Sequence, residues 1–296
     1  MPVEFLKSPH LRLFVGAVLI SLSPVWVKLV SVSPTTSGFY RVAIGSITVL
    51  LLMVLARQKL RLSRRAWFFV ALAGAFFSLD LFFWHRSIIF VGPGLSTLLA
   101  NFQVFIMMFA GVVLLRQKPG AAQLVAVPLA LVGLVMIVGL DWRSLPGDYR
   151  LGVIFGLLTA IMYAGYLLSL RASRVHSENR LPLAEVAVVS IVCTVLLVLI
   201  AQVEGVSLAI PDASDIKWLL GYGLLSHSFG ALFLASSLPH VSTTEAGLAL
   251  LLQPTLSFVW DVLFFGRPMQ PIEIAGAAIA LFAIYLGSRS RSIRGQ

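Results

Sequence analysis

Residues 66–87 read AWFFVALAGAFFSLDLFFWHRS. Apolar side chains occupy every face that a helix would present, and the only ionisable groups are Asp80, His85 and Arg86. At 1.5 Å per residue such a helix covers about 33 Å, enough to cross a hydrocarbon core of roughly 30 Å. A membrane-spanning strand would need only about ten residues in an alternating pattern, so the stretch predicts a spanning helix. The same reading gives further spans at 11–31, 36–56, 93–115, 121–140, 151–171, 183–203, 216–236, 243–265 and 271–288. Turn and helix-start signals separate them: Ser33-Pro34, Gly92-Pro93, Lys118-Pro119-Gly120, Pro146-Gly147-Asp148, Leu181-Pro182 and Arg267-Pro268.

Composition agrees with this reading. Of 296 residues 59% are hydrophobic and 11% charged, whereas a soluble domain carries about 25% charged residues. The connections left between ten spans are too short for a separate soluble domain. A lone cysteine, Cys193, excludes an intrachain disulfide framework. Lys7 and Arg12 precede the first apolar run in the manner of a signal peptide, but the run continues through Val32 to full spanning length. Residues 11–31 are therefore expected to be a retained first helix. The expected fold class is an all-α membrane protein with ten transmembrane helices.

The formal charge of +10 could mark a nucleic-acid partner, but such a footprint needs a basic face on a soluble module. No nucleic-acid role is expected. With ten spans, 15 of the 22 Lys and Arg residues fall on the side holding the N-terminus and five on the other. The positive-inside rule then places both termini in the cytoplasm, in a bacterial-type cytoplasmic membrane.

The chain also divides in two. Ser87 to Pro119 aligns without gaps on Ser237 to Met269, with Ser87/Ser237, Val91/Val241, Leu98/Leu248, Gln103/Gln253 and Val112/Val262 identical. Gly16/Gly156 and Trp26/Tyr166 correspond at a second constant offset. Residues 1–145 and 146–296 are expected to be two five-helix repeats. An odd number of helices per half makes them inverted, an arrangement characteristic of carriers with a central site and alternating access.

Ser21-Leu22-Ser23-Pro24-Val25-Trp26, followed by Ser33-Pro34 and Phe39-Tyr40-Arg41, resembles the opening of the ten-helix, EamA-type drug/metabolite transporter superfamily. Pro254 in helix nine and the turns Arg116-Gln117-Lys118-Pro119 and Gly266-Arg267-Pro268 fit the same repeat, and the resemblance covers roughly 11–288. One departure is Gln117 and Arg267, where that superfamily often has Glu. The resemblance implies export or exchange of small metabolites, amino acids among them, coupled to ion or proton gradients. The partners expected are such a small-molecule substrate, protons and the lipid bilayer, with no cofactor and no metal.

An ionisable side chain within a span costs at least ~2.5–3.5 kcal/mol, so each needs a partner, an aqueous cavity or a route to the interface. Lys28 is expected to snorkel, and Asp261 to sit solvated at the outer interface. Arg41 either receives a substrate carboxylate with its fork or locks to Asp80 or Asp261. Asp80, with His85 five residues on, is either a coupling or substrate group or half of a structural pair with Lys28 or Arg41. Gln103 and Gln253 each lie about 15 Å into their helices from opposite directions, where amides can bind amino and carboxyl groups without the cost of buried charge. Interhelical glue is the alternative for these amides. Asn101 and His227 join them at similar depth, the histidine either a proton site or a neutral, hydrogen-bonded ring. Trp26, Tyr163 and Tyr166 either line an amphipathic cavity or face lipid and packing neighbours, while Trp67, Trp142 and Trp218 belong to interfacial belts. Ser242-Thr243-Thr244-Glu245 fits a capping box, and Pro24, Pro128 and Pro254 are expected to bend their helices.

No enzyme is expected: the chain has no H-E-x-x-H zinc motif and no G-x-S-x-G elbow. A passive channel, receptor or scaffold remains the alternative to a secondary transporter, because polar residues within spans suit them all.

Overall fold

The computed structural model describes residues 8–116, 120–139, 145–177, 183–210, 212–237, 240 and 243–288. Lys7, the turn at Gln117-Lys118-Pro119, Trp142 and Arg143, Arg180-Leu181-Pro182, the Ser242–Glu245 cap and the basic residues from Arg289 onward lie outside the described residues or side chains. Described elements are α1 (Pro9–Ser21), α2 (Ser23–Leu29), α3 (Pro34–Leu55), α4 (Arg64–Asn101), α5 (Gln103–Leu115), α6 (Ala121–Val138), α7 (Gly147–Val175), α8 (Leu183–Glu204) and α9 (Ala213–Gly221). A π-helical segment (Tyr222–Gly230) follows, then α10 (Ala231–Ser237), α11 (Thr243–Phe265) and α12 (Pro271–Ser288). Among the described residues, six helical runs are long and apolar enough to cross a membrane: Pro9–Leu29, Pro34–Leu55, Arg64–Val113, Ala121–Val138, Gly147–Val175 and Leu183–Glu204. Two shorter apolar helices occupy 249–265 and 271–286.

The longest run reverses on itself. Ser173 hydrogen-bonds Ala66, Gly165 meets Phe76, Gly156 approaches Ser87 and Gly152 packs on Val91. Residues 66–91 thus run antiparallel to α7. Beyond Gly92, Leu99 comes back to Gly156. Gly92 makes the reversal with φ 87° and ψ 165°, a conformation that costs glycine little and is unfavourable for other residues. Pro93 follows, and its carbonyl receives the Ser96 and Thr97 hydroxyls at 3.1 and 2.8 Å.

Local signals fix the helix ends. Ser33 caps α3 by accepting Thr36 N–H at 3.0 Å, with Pro34 in the first turn, and Ser63 caps α4 by accepting Ala66 N–H at 3.2 Å. Between α1 and α2 the helix breaks at Leu22, ahead of Pro24. The Ser257 hydroxyl approaches the freed Ser21 carbonyl at 3.2 Å, and the Trp260 indole donates to the Ser21 hydroxyl at 2.9 Å. Such rescue of backbone groups is what permits a broken helix in an apolar medium. Pro128 and Pro254 lie inside the continuous helices α6 and α11.

Among the described residues, two apolar clusters are the largest. One joins Leu95, Leu98 and Leu99 to Ala130, Ala160, Phe258 and Ala280. The other joins Val42, Val70, Phe77 and Leu81 to Val189, Cys193 and Leu197. The loops also segregate by end. Leu62 pairs with Ser177 at one end, while Ser31 binds Asp215 and Tyr40 donates to Leu208 O at the other.

Candidate functional site

The π segment sets the site. An i→i+5 ladder places residues five apart one above the other, whereas in an α-helix they diverge by roughly 140°. Tyr222 and His227 are five apart, and both bind Arg41 of α3. The Arg41 Nη1 donates to Tyr222 Oη at 2.9 Å and its Nε to His227 Nδ1 at 3.4 Å. Three rings surround the guanidinium: Tyr222 at 5.1 Å, Trp84 at 5.4 Å and Phe77 at 5.7 Å, within cation–π range.

Hydrogen-bond direction follows from arginine having donors only. His227 Nδ1 accepts, so its Nε2 carries the proton and faces Ser190 Oγ at 3.5 Å. His85 Nδ1 lies 2.7 Å from the Leu81 carbonyl and must donate to it, leaving Nε2 to accept the Tyr222 hydroxyl at 3.2 Å. Both imidazoles are thereby neutral. His85 is fully buried, and the order Arg41 to Tyr222 to His85 to Leu81 O is a continuous donor chain.

Asp80 completes the group. On α4 it follows Phe77 by three residues and precedes Trp84 by four, so it shares the face whose two rings flank Arg41. Electrostatically it is coupled to Arg41, Tyr163, Tyr166 and Tyr222. Its relative exposure is 6%, and among the described residues it has neither a hydrogen bond nor an ion pair. Among the described residues Asp80 forms no direct ion pair with Lys28 or Arg41, although Arg41 lies near enough to act on its carboxyl electrostatically. Tyr163 stacks on Tyr166 at 5.6 Å, and Tyr166 meets Phe77 at 4.8 Å, carrying an aromatic wall from α7 to this face.

Of the other candidates, Trp26 packs into the same apolar cluster as Trp84 and Tyr222, whereas Asn101, Gln103 and Gln253 form no hydrogen bond to this group. Asn101 Nδ2 donates to the Thr97 carbonyl on its own helix at 2.8 Å. Gln103 and Gln253 form no hydrogen bond with each other, although Gln103 Oε1 is buried without a partner. Trp26 donates its indole N–H to Ser226 Oγ at 3.0 Å and rests beside Trp218 at 5.8 Å.

One sequence expectation needs correction. Asp261 is fully buried rather than solvated at an interface. It accepts Gly94 N–H at 3.1 Å and Arg267 Nη1 at 3.4 Å, so it caps the helix that restarts after Gly92. Lys28, expected to snorkel, keeps its side chain 30% exposed and comes within 3.8 Å of Asp261 and 4.6 Å of the Phe265 ring centroid. Sequence reading also passed over Glu204, which binds Arg86 and accepts the Thr35 hydroxyl at 2.6 Å, tying α8 to α3 and α4. The available signal was its place: an acidic residue at the end of an apolar run, opposite a basic one.

Long apolar helices around a buried polar cluster define an all-helical protein of membrane-spanning type. The chain belongs to the EamA-like transporter family, whose model matches it twice, at residues 8–139 and 150–289. It is similar to the uncharacterized inner membrane transporter YhbE of Escherichia coli strain K12, with 28% identity over 271 residues covering 86% of this chain and 81% of that protein. YhbE of Shigella flexneri matches to the same extent. A solved structure described only as "Crystal structure of protein" has a TM-score of 0.65 at 17% identity, covering 94% of this chain and 97% of the other. That last likeness is one of fold.

Proposed function

We propose that the protein is a secondary transporter, an exporter or exchanger, that moves small metabolites such as amino acids across the cytoplasmic membrane by alternating access with proton coupling. Ten spans in two inverted five-helix repeats, 1–145 and 146–296, with both termini cytoplasmic, complete the reading. The double family match supports the duplication, and the chain reversal at Gly92 supports counting residues 64–113 as two passes. In the same way Gly16 closes on Gly230 and Leu234 of the second half, while its counterpart Gly156 closes on Ser87 and Leu99 of the first.

The observation that carries the function is the composition of the buried cluster. Arg41 and Asp80 come from the first matched segment, and Tyr163, Tyr166, Tyr222 and His227 from the second. A site assembled between two halves is the one that their relative motion would expose alternately.

Counterflow in proteoliposomes tests this directly. Saturable exchange of a labelled amino acid against internal unlabelled substrate is expected. Flux that never saturates would favour a passive channel, and absence of exchange across a broad metabolite panel would favour a receptor or scaffold.

A further inference from the structure

We infer that Arg41 and Asp80 form a two-point clamp for a zwitterion, Arg41 taking the carboxylate and Asp80 the ammonium of an amino acid with an apolar or aromatic side chain. This rests on the transporter reading above and assigns substrate chemistry to particular atoms.

Opposite charges confined to one buried region ordinarily pair, because the attraction is strong where water is excluded. Here they do not. Asp80 is 94% buried by its 6% exposure and has no partner among the described residues. Among the described residues Arg41 forms no direct ion pair either, and its two hydrogen bonds go to neutral acceptors, Tyr222 Oη and His227 Nδ1. Each of those acceptors is itself anchored: Tyr222 donates onward to His85, and the His227 ring faces Ser190 on one side and lies against Gly45 on the other. Tyr222 and His227 thus act as positioning residues that fix the guanidinium in place.

The donor count fits an incoming anion. Of five guanidinium N–H groups two are used within the protein, leaving three, of which the Nη2 pair and the remaining Nη1 N–H form the geometry that receives a carboxylate bidentately. A carboxylate accepts and cannot donate, so Asp80 suits an ammonium and repels an acid. Phe77 and Trp84, on either side of Asp80 along α4, together with the Tyr163–Tyr166 stack, supply an apolar wall for the remaining side chain. A ligand bearing one charge would leave the opposite protein charge buried and uncompensated, the most effective basis for rejection.

The test uses the full chain in proteoliposomes, with counterflow of labelled L-phenylalanine challenged by L-phenylalanine, phenethylamine and 3-phenylpropionate. L-Phenylalanine is expected to compete at least roughly tenfold better than either single-charge analogue, as loss of one charge-assisted contact implies. Asp80→Asn, isosteric and uncharged, is expected to lose L-phenylalanine counterflow and narrow its preference over 3-phenylpropionate. Arg41→Lys, which keeps the charge but loses the fork, is expected to raise KM more than it lowers kcat. Equal competition by all three compounds, or an unchanged profile in Asp80→Asn, would overturn the clamp. Saturable exchange of only uncharged metabolites such as sugars or nucleosides would overturn the clamp while sparing the transporter. No exchange of any metabolite would overturn both.

Discussion

A β-carbon placed on Gly45 would fall 2.0 Å from Cδ2 of His227, so the imidazole rests directly on the backbone of α3. Arg41 lies one helical turn before Gly45 on the same helix, and His227 accepts its Nε–H. Glycine at 45 is therefore what allows one α3 turn to carry the arginine and seat the histidine that holds it.

Gly45→Ala should push His227 away and release one of the two hydrogen bonds on Arg41. Counterflow should fall by roughly tenfold, the worth of a hydrogen bond to a charged group, with detergent-solubilised protein still monodisperse. Wild-type kinetics in this variant would mean that His227 has no part in positioning Arg41.

Removing the Tyr222 hydroxyl with Tyr222→Phe keeps the ring beneath the guanidinium but cuts the donor chain between Arg41 and His85. The arginine then keeps only its hydrogen bond to His227 and is no longer held at Nη1. KM for a zwitterionic substrate should rise several-fold with a smaller change in kcat, which separates mispositioning from general damage.

Asp80 supplies the carboxylate of the cluster and so is the group through which a proton would alter its charge. In Asp80→Asn the residual flux should no longer respond to an imposed pH gradient. An unchanged response would transfer the proton role to His227.

Asp261→Ala tests architecture rather than transport. It strips the Gly94 N–H of its cap and removes the carboxylate that Lys28 and Arg267 share, leaving Arg267 with Glu273 and the Val91 carbonyl. Breaking a buried charge pair from one side costs about 3–5 kcal/mol, so the melting temperature in detergent should drop markedly. Asp261→Asn, which retains an acceptor for Gly94, should recover part of the loss.

Gln103→Ala and Gln253→Ala address the amides expected near the midplane. Each should impair counterflow while membrane insertion, read by fractionation, stays normal. Full activity in both would assign them to packing.

Much of this was legible in the chain itself. The apolar run at 66–87, the Gly92-Pro93 break and the placement of Asp80 and Arg41 within spans follow from length, hydropathy and turn chemistry, all local properties. Pairing was not legible, because it depends on contacts between distant residues. Depth along a helix put Asp261 near an interface, yet it is consumed by Gly94, which lies 167 positions away in the chain. The 216–236 stretch reads as one ordinary helix, since nothing in its apolar pattern distinguishes an i→i+5 ladder from an i→i+4 one. Only the joint grip of Tyr222 and His227 on Arg41 reveals what the wider spacing achieves.

That wider spacing makes the segment a built-in gauge. One guanidinium can be held by residues five apart only while the coil keeps its larger circumference; if the coil tightened to α-helical spacing, the two side chains would part by roughly 140°. The winding of residues 222–230 and the freedom of Arg41 are consequently one variable, and any movement of the second half that rewinds this stretch would free the arginine on the opposing helix.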